Sequence, residues 1–334
     1  MTHPAEPLTY ANPVFDGYLA DPCAWEHEGV YYAVGTGGEP LGARPDERRI
    51  FPLLRSLDFA HWEPAGGALV PPDSTLGTDF WAPEVAFSNG IFYLYYSVGS
   101  GDKGHQLRVA TSANPLGPYR DTGTPLLPPG TTPFAIDPHP FRDDDGTWYL
   151  FYARDFLDGE NGARRPGTAL VVDRLDNMTR LAGDERTVLR ARHDWQRFMA
   201  GRPMYSGVYD WHTLEGPFVV RHDGRYYCFY SGGRWDSDHY GVDYTVADHV
   251  LGPYRDDNDG SGARVLRTVA GRVEGPGHNS LVRGPDGQSE YVVYHAWDVA
   301  RTARRMCLDR LVWTPDGPRV PGGPTWTPQP VPTR

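Results

Sequence analysis

Five ionisable side chains stand shortly before five glycine turns. Asp21 lies 8 residues before Gly29, Glu84 6 before Gly90, Asp137 9 before Gly146, Glu215 9 before Gly224 and His278 9 before Gly287. Asp21 and Asp137 are each followed by proline, and Glu215 by Gly216-Pro217. A lone Asp-Pro usually marks a turn. Several carboxylates brought to one place are another matter, because like charges close together cost energy and split their pKa values. A pocket of that kind keeps one carboxyl protonated near neutral pH beside one that is ionised. Cleavage of a glycosidic bond needs that pair: an acid to protonate the departing oxygen, and a carboxylate to activate water or attack the sugar carbon.

These residues can meet only if the chain repeats. A turn dipeptide ending in glycine precedes an aromatic strand five times: Glu28-Gly29, Asn89-Gly90, Asp145-Gly146, Asp223-Gly224 and Asp286-Gly287. Asn-Gly and Asp-Gly favour two-residue hairpins because a type I′ turn needs positive φ at both central residues. The strands that follow, such as Ile91-Phe92-Tyr93-Leu94-Tyr95-Tyr96, are apolar nearly throughout, which implies burial on both faces. Small sheets stacked radially bury both faces. The reading is all-β: a five-bladed β-propeller forming a single domain over residues 1–334. Its blades begin near Asp21, Glu84, Asp137, Glu215 and His278, and the first strands line a central channel. Gly-Pro-Tyr-Arg-Asp occurs twice, at 117–121 and 252–256, which supports repetition. Residues 39–50 and 191–213 read as rim loops. Residues 315–334, rich in proline, read as an extended tail.

Composition agrees. Glycine (39) and proline (32) are abundant in 334 residues, which disfavours long helices. The net charge of −11 argues against nucleic-acid binding. No apolar stretch approaches a membrane span. Lys103 is the only lysine, so no phosphate-loop lysine pattern exists. Cys23, Cys228 and Cys307 are few and far apart, and read as reduced core residues. The first ten residues show no cationic start followed by an apolar run, so a cytoplasmic location is expected.

In order along the chain, Leu19-Ala20-Asp21-Pro22, Phe80-Trp81-Ala82-Pro83-Glu84-Val85, Ala135-Ile136-Asp137-Pro138, Leu214-Glu215-Gly216-Pro217 and Gly275-Pro276-Gly277-His278-Asn279-Ser280 resemble the motifs of glycoside hydrolase family 43. That family consists of five-bladed propellers acting mostly on arabinose- and xylose-containing plant polysaccharides. The resemblance implies an inverting mechanism. Asp21 would be the general base, Glu215 the general acid, and Asp137 the residue that orients Glu215 and raises its pKa. A second Glu-Gly-Pro at Glu274 leads into His278 and is the weaker acid candidate. The implied sugar contacts are Trp81, Glu84, Phe134, His278 and Arg305, with Arg301, Arg304 and Arg310 near enough to confuse the register. His278 is also the candidate metal ligand, beside a calcium ion in the channel. No cofactor is expected for the chemistry.

The expected substrate is a pentose-containing oligosaccharide or polysaccharide, and the expected activity is release of terminal L-arabinofuranose. The motifs leave β-D-xylosidase and endo-arabinanase open. A sugar-binding propeller without catalysis is a different class, disfavoured because all three carboxylates are intact. The fructoside-cleaving propellers carry other residues around the second aspartate and the acid.

Overall fold

A computed structural model describes residues 7–38, 45–159 and 164–333. Among these residues strands dominate, the only helical turns are three short 3-10 segments, and no helix is long and apolar enough to cross a membrane. Three four-stranded sheets are antiparallel meanders. The first runs Ala20–His27, Val30–Thr36, Ile50–Ser56 and Glu63–Leu69, and the second Asp79–Ser88, Ile91–Ser100, Lys103–Ser112 and Arg120–Asp121. The last runs Glu274–Arg283, Glu290–Trp297, Arg304–Thr314 and Gly317–Arg319. Between them lie two three-stranded meanders, Ala135–Arg142 with Trp148–Phe156 and Gly167–Asn177, and Gly207–His222 with Arg225–Gly232 and Gly241–Ala247. A short parallel contact, Gly167 to His212 and Thr168 to Thr213, joins these two into one nine-stranded sheet with its side strands.

The apolar clusters lie between successive meanders, as doubly buried strands require. Leu94 and Tyr96 pack toward the first sheet with Val34 and Leu53, whereas Tyr95 packs the other way with Leu150 and Tyr152. Phe151 and Leu170 meet Cys228 and Tyr230, and Phe229 meets Val292 and Tyr294. The circle closes where Val293 and Met306 pack against Tyr31 and Leu54. The first strands follow the same order, each packed beside the next, with Glu274–Arg283 returning to Ala20–His27. The two ends of the chain are stitched together here. Thr9–Tyr10 pairs with Gln329–Pro330, and Phe15 bridges to Met306. All three cysteines are buried and free.

Three of the five hairpins have positive φ at both turn residues: Glu28-Gly29, Asn89-Gly90 and Asp223-Gly224. The other two do not. At Asp145-Gly146 and Asp286-Gly287 only the glycine is left-handed, and its N–H returns to Asp143 or Gly284. These are longer loops closed by one left-handed glycine. Residues 191–213 are a loop only as far as the short turn Asp194–Gln196. Arg197–Met204 pairs with the start of Gly207–His222, and a two-residue turn joins them. Part of the 39–50 insertion, residues 39–44, lies outside the described residues.

Candidate active site

The site originates in one irregularity repeated around the ring. Each innermost strand slips register at the same place: Ala20/Cys23, Trp81/Glu84, Ile136/His139, Glu215/Phe218 and Gly277/Ser280. Inside each slip one residue is left-handed: Asp21 (φ 51°), Ala82 (46°), Asp137 (58°), Gly216 (56°) and His278 (47°). A bulge of this kind re-aims side chains, at a cost of about 1–2 kcal/mol for a non-glycine residue. Proline follows in four of the five strands, where the disrupted ladder asks for no donor.

This register corrects the fixed offsets read from the sequence. Asp21, Asp137 and His278 are equivalent, but Glu215 precedes its left-handed residue and Glu84 stands two beyond Ala82. Glu215 therefore shares a position with Trp81 and Ile136, and all three line the cavity. Glu84 does not line it. Its Oε2 lies 2.7 Å from Nδ1 of His139, whose Nε2 accepts the backbone N–H of Val219 at 2.9 Å. Both side chains are buried, so Glu84 braces two neighbouring strands.

A cavity of about 290 Å³ is lined by Asp21, Asp137, Glu215, Trp81, His278 and Arg304, with Ile136 and Trp235 completing it. Three carboxyls far apart in sequence thus share one hollow. The arginine is Arg304, not Arg305. Neighbouring strand residues face opposite sides, and Arg305 turns away to pair with Asp298 at 3.1 Å. Arg304 places Nη1 3.3 Å from Asp21 Oδ1 and donates to Tyr18. Nδ1 of His278 lies 3.5 Å from Asp21 Oδ1 and 3.9 Å from Asp137 Oδ2. Nδ1 of His295 lies 3.0 Å from the backbone N of Asp21 and 3.2 Å from its Oδ1.

The environments separate the three carboxyls. Burial alone would raise Asp21, but Arg304, His278 and His295 outweigh it and hold Asp21 well below the usual carboxylate range. Burial, then the Glu215 and Asp21 charges, push Asp137 well above that range. Burial pushes Glu215 up to about 7, against the lowering effect of a hydrogen bond from Tyr240. That bond, Tyr240 Oη to Glu215 Oε1, spans 2.6 Å. Asp137 Oδ2 accepts the backbone N–H of Gly216 at 2.8 Å.

Trp81 presents a ring backed by His105, stacked at 3.8 Å. Phe134 is one step removed: it lines a side cavity of about 100 Å³ that shares Trp81, Glu215 and Trp235 with the main one. The hairpin from Arg197 to His222 supplies Phe198, Arg202 and Trp211 to that side cavity. Among the described residues no group of three or more His, Cys, Asp or Glu side chains is arranged for a metal. His278 offers a cation one imidazole beside Asp21, and the remaining ligands of a channel calcium would be oxygens, water among them. Sequence reasoning missed Trp235 and Tyr240, from the loop between Arg225–Gly232 and Gly241–Ala247, and His295, within Glu290–Trp297, none of which carries a motif. Arg304 was within reach by strand alternation.

Comparison places these features among known proteins. The family model for glycosyl hydrolases family 43 matches residues 10–318. The β-D-galactofuranosidase of Aspergillus niger is 30% identical, covering 96% of this chain and 89% of that protein. An extracellular exo-α-(1→5)-L-arabinofuranosidase of Streptomyces avermitilis is 26% identical, covering 95% of this chain and 64% of its own. The crystal structure of a thermostable family-43 glycoside hydrolase superposes with a TM-score of 0.79 at 33% identity, covering 98% of this chain and all of the other. The expected cytoplasmic location is overturned. Relatives from two Streptomyces species, Bacillus subtilis and Cellvibrio japonicus are extracellular enzymes by name.

Proposed function

The chain belongs to glycosyl hydrolase family 43, and from that premise we propose that it is an inverting exo-hydrolase releasing terminal L-arabinofuranose from arabinan or arabinoxylan oligosaccharides. In this reading Asp21 is the general base, Glu215 the general acid and Asp137 the residue that orients Glu215. One observation carries it: in a single cavity, Arg304 helps hold Asp21 ionised while burial lifts Glu215 to about 7. Near neutral pH one carboxylate can take a proton from water while one carboxylic acid gives a proton to the leaving oxygen. Asp137, through the N–H of Gly216, fixes the strand that presents the acid. Trp81 gives the sugar a flat apolar face. The same reading takes the nine-stranded sheet as two blades joined at their edges, for five blades in all.

A second reading has specific support. The Aspergillus niger relative is a β-D-galactofuranosidase. That substrate also has a furanose ring, with a longer exocyclic chain, and the side cavity next to Glu215 offers space beside the ring site.

The test is a panel of nitrophenyl α-L-arabinofuranoside, β-D-xyloside and β-D-galactofuranoside, then arabinan and arabinoxylan oligosaccharides. Fastest turnover of the arabinofuranoside is expected, with proton NMR showing the inverted anomer first. Asp21→Asn and Glu215→Gln are expected to lower kcat by roughly 10²–10⁴-fold on natural glycosides. Near-normal turnover in either variant would refute the assignment.

A further inference from the structure

A second cavity, about 560 Å³, opens beside the last sheet and is larger than the catalytic one. Its walls bring together Asp16 from the N-terminal segment, Arg272, Trp297 and Asp298, Arg305, and Trp326 from the proline-rich end. The last hairpin supplies Trp297, Asp298 and Arg305, and the two ends of the chain bring Asp16 and Trp326 against it.

The two cavities share a wall. Arg304 and Arg305 are adjacent on one strand, and the first lines the catalytic cavity while the second lines this one. Trp235 belongs to the catalytic cavity and Trp297 to the second. Their rings stack with centroids 5.7 Å apart and planes 22° from parallel, and the Trp297 indole N–H donates to the Trp235 carbonyl at 3.1 Å. The Arg304 guanidinium lies 4.8 Å from the Trp235 ring centroid and 6.0 Å from that of Trp297.

The lining has the chemistry of a neutral polyol site. Trp326 is 42% exposed, so its ring is open to a ligand. The Arg272 guanidinium lies 5.8 Å from the centre of that ring, and Arg305 pairs with Asp298. Arginines and aspartates are balanced, so an ion of either sign meets repulsion as well as attraction. A sugar ring satisfies both halves: its C–H face packs on indole and its hydroxyls bridge donors and acceptors.

We infer that this cavity is a distal glycan-binding site, holding sugar units remote from the cleaved bond on a chain that crosses the Trp235–Trp297 wall. The sugar's identity rests on the proposed function; the existence of the site does not. The test compares wild type with Trp326→Ala on nitrophenyl α-L-arabinofuranoside and on α-1,5-linked arabino-oligosaccharides of two to five units. Calorimetry then measures binding of arabinotetraose and xylotetraose to Glu215→Gln, with and without Trp326→Ala. Expected are an unchanged nitrophenyl glycoside reaction, a KM about tenfold higher for the longest oligosaccharides, and about tenfold weaker tetraose binding. The intact nitrophenyl reaction also serves as the folding control. Changes equal at every chain length, or tetraose binding that is absent or insensitive to Trp326→Ala for both sugars, would overturn the distal site. So would light scattering showing that Trp326 instead holds a dimer of this chain, with no effect on glycans. A wild type that releases nothing from any arabinofuranoside would refute the proposed function alone, because calorimetry still decides the distal site.

Discussion

A carboxyl oxygen of Asp137 accepts the backbone N–H of Gly216, the residue directly after Glu215, at 2.8 Å. Two neighbouring first strands are thereby locked in register at the point where one presents a carboxyl to the cavity. Asp137→Asn keeps an acceptor oxygen, whereas Asp137→Ala removes it. If Asp137 works by positioning Glu215, the asparagine variant should retain about tenfold more kcat than the alanine variant, in line with leaving the buried Gly216 N–H without its acceptor. Steady-state kinetics on one oligosaccharide decides this, and equal losses would count against positioning.

Tyr240 donates to Glu215 at 2.6 Å and favours its ionised form. Removing the hydroxyl should raise the pKa of the acid. In Tyr240→Phe the alkaline limb of the kcat/KM profile is expected to move above its wild-type position near pH 7. A downward move would show that the hydroxyl acts some other way.

Arg304 is the foremost of the groups that lower Asp21, and burial opposes it. Without the guanidinium, Asp21 should hold its proton to higher pH and lose base strength at low pH. In Arg304→Gln the acid limb of the same profile is expected to shift upward while the alkaline limb shifts less. An unmoved acid limb would remove Arg304 from this role.

The raised pKa of Glu215 opposes folding at high pH. Its folded value is about 7 against 4.5 in the unfolded chain. Stability tied to this group is complete below 4.5 and is lost as pH rises through 7, by up to about 3 kcal/mol. Glu215→Gln, which cannot ionise, should be more stable than wild type at pH 8 and nearly equal to it at pH 4. Thermal unfolding at both pH values checks the sign.

Much of this was legible in the chain itself. Doubly apolar strands after glycine turns can be buried only between two neighbouring sheets, so the repeat and its radial stacking follow from local pattern. The left-handed bulge leaves a trace as well, because four of the five strands place proline just after it, at Pro22, Pro83, Pro138 and Pro217. Asp21, Asp137 and Glu215 were therefore identifiable as residues that meet.

Counting from turns could not show which neighbour of a bulge faces the cavity. One inserted residue reverses the alternation on which counting depends, which is why Glu84 falls behind the wall against His139. Arg304 takes the place assigned to Arg305 for another reason: their strand pairs without a slip, and neighbouring residues on it face opposite sides. Tyr240 reaches the carboxyls from a loop and His295 from another strand, and nothing in their local sequence records that approach. The residue types were set by the chain. The difference in proton affinity between Asp21 and Glu215 arose only when folding removed both from water and gave one of them an arginine.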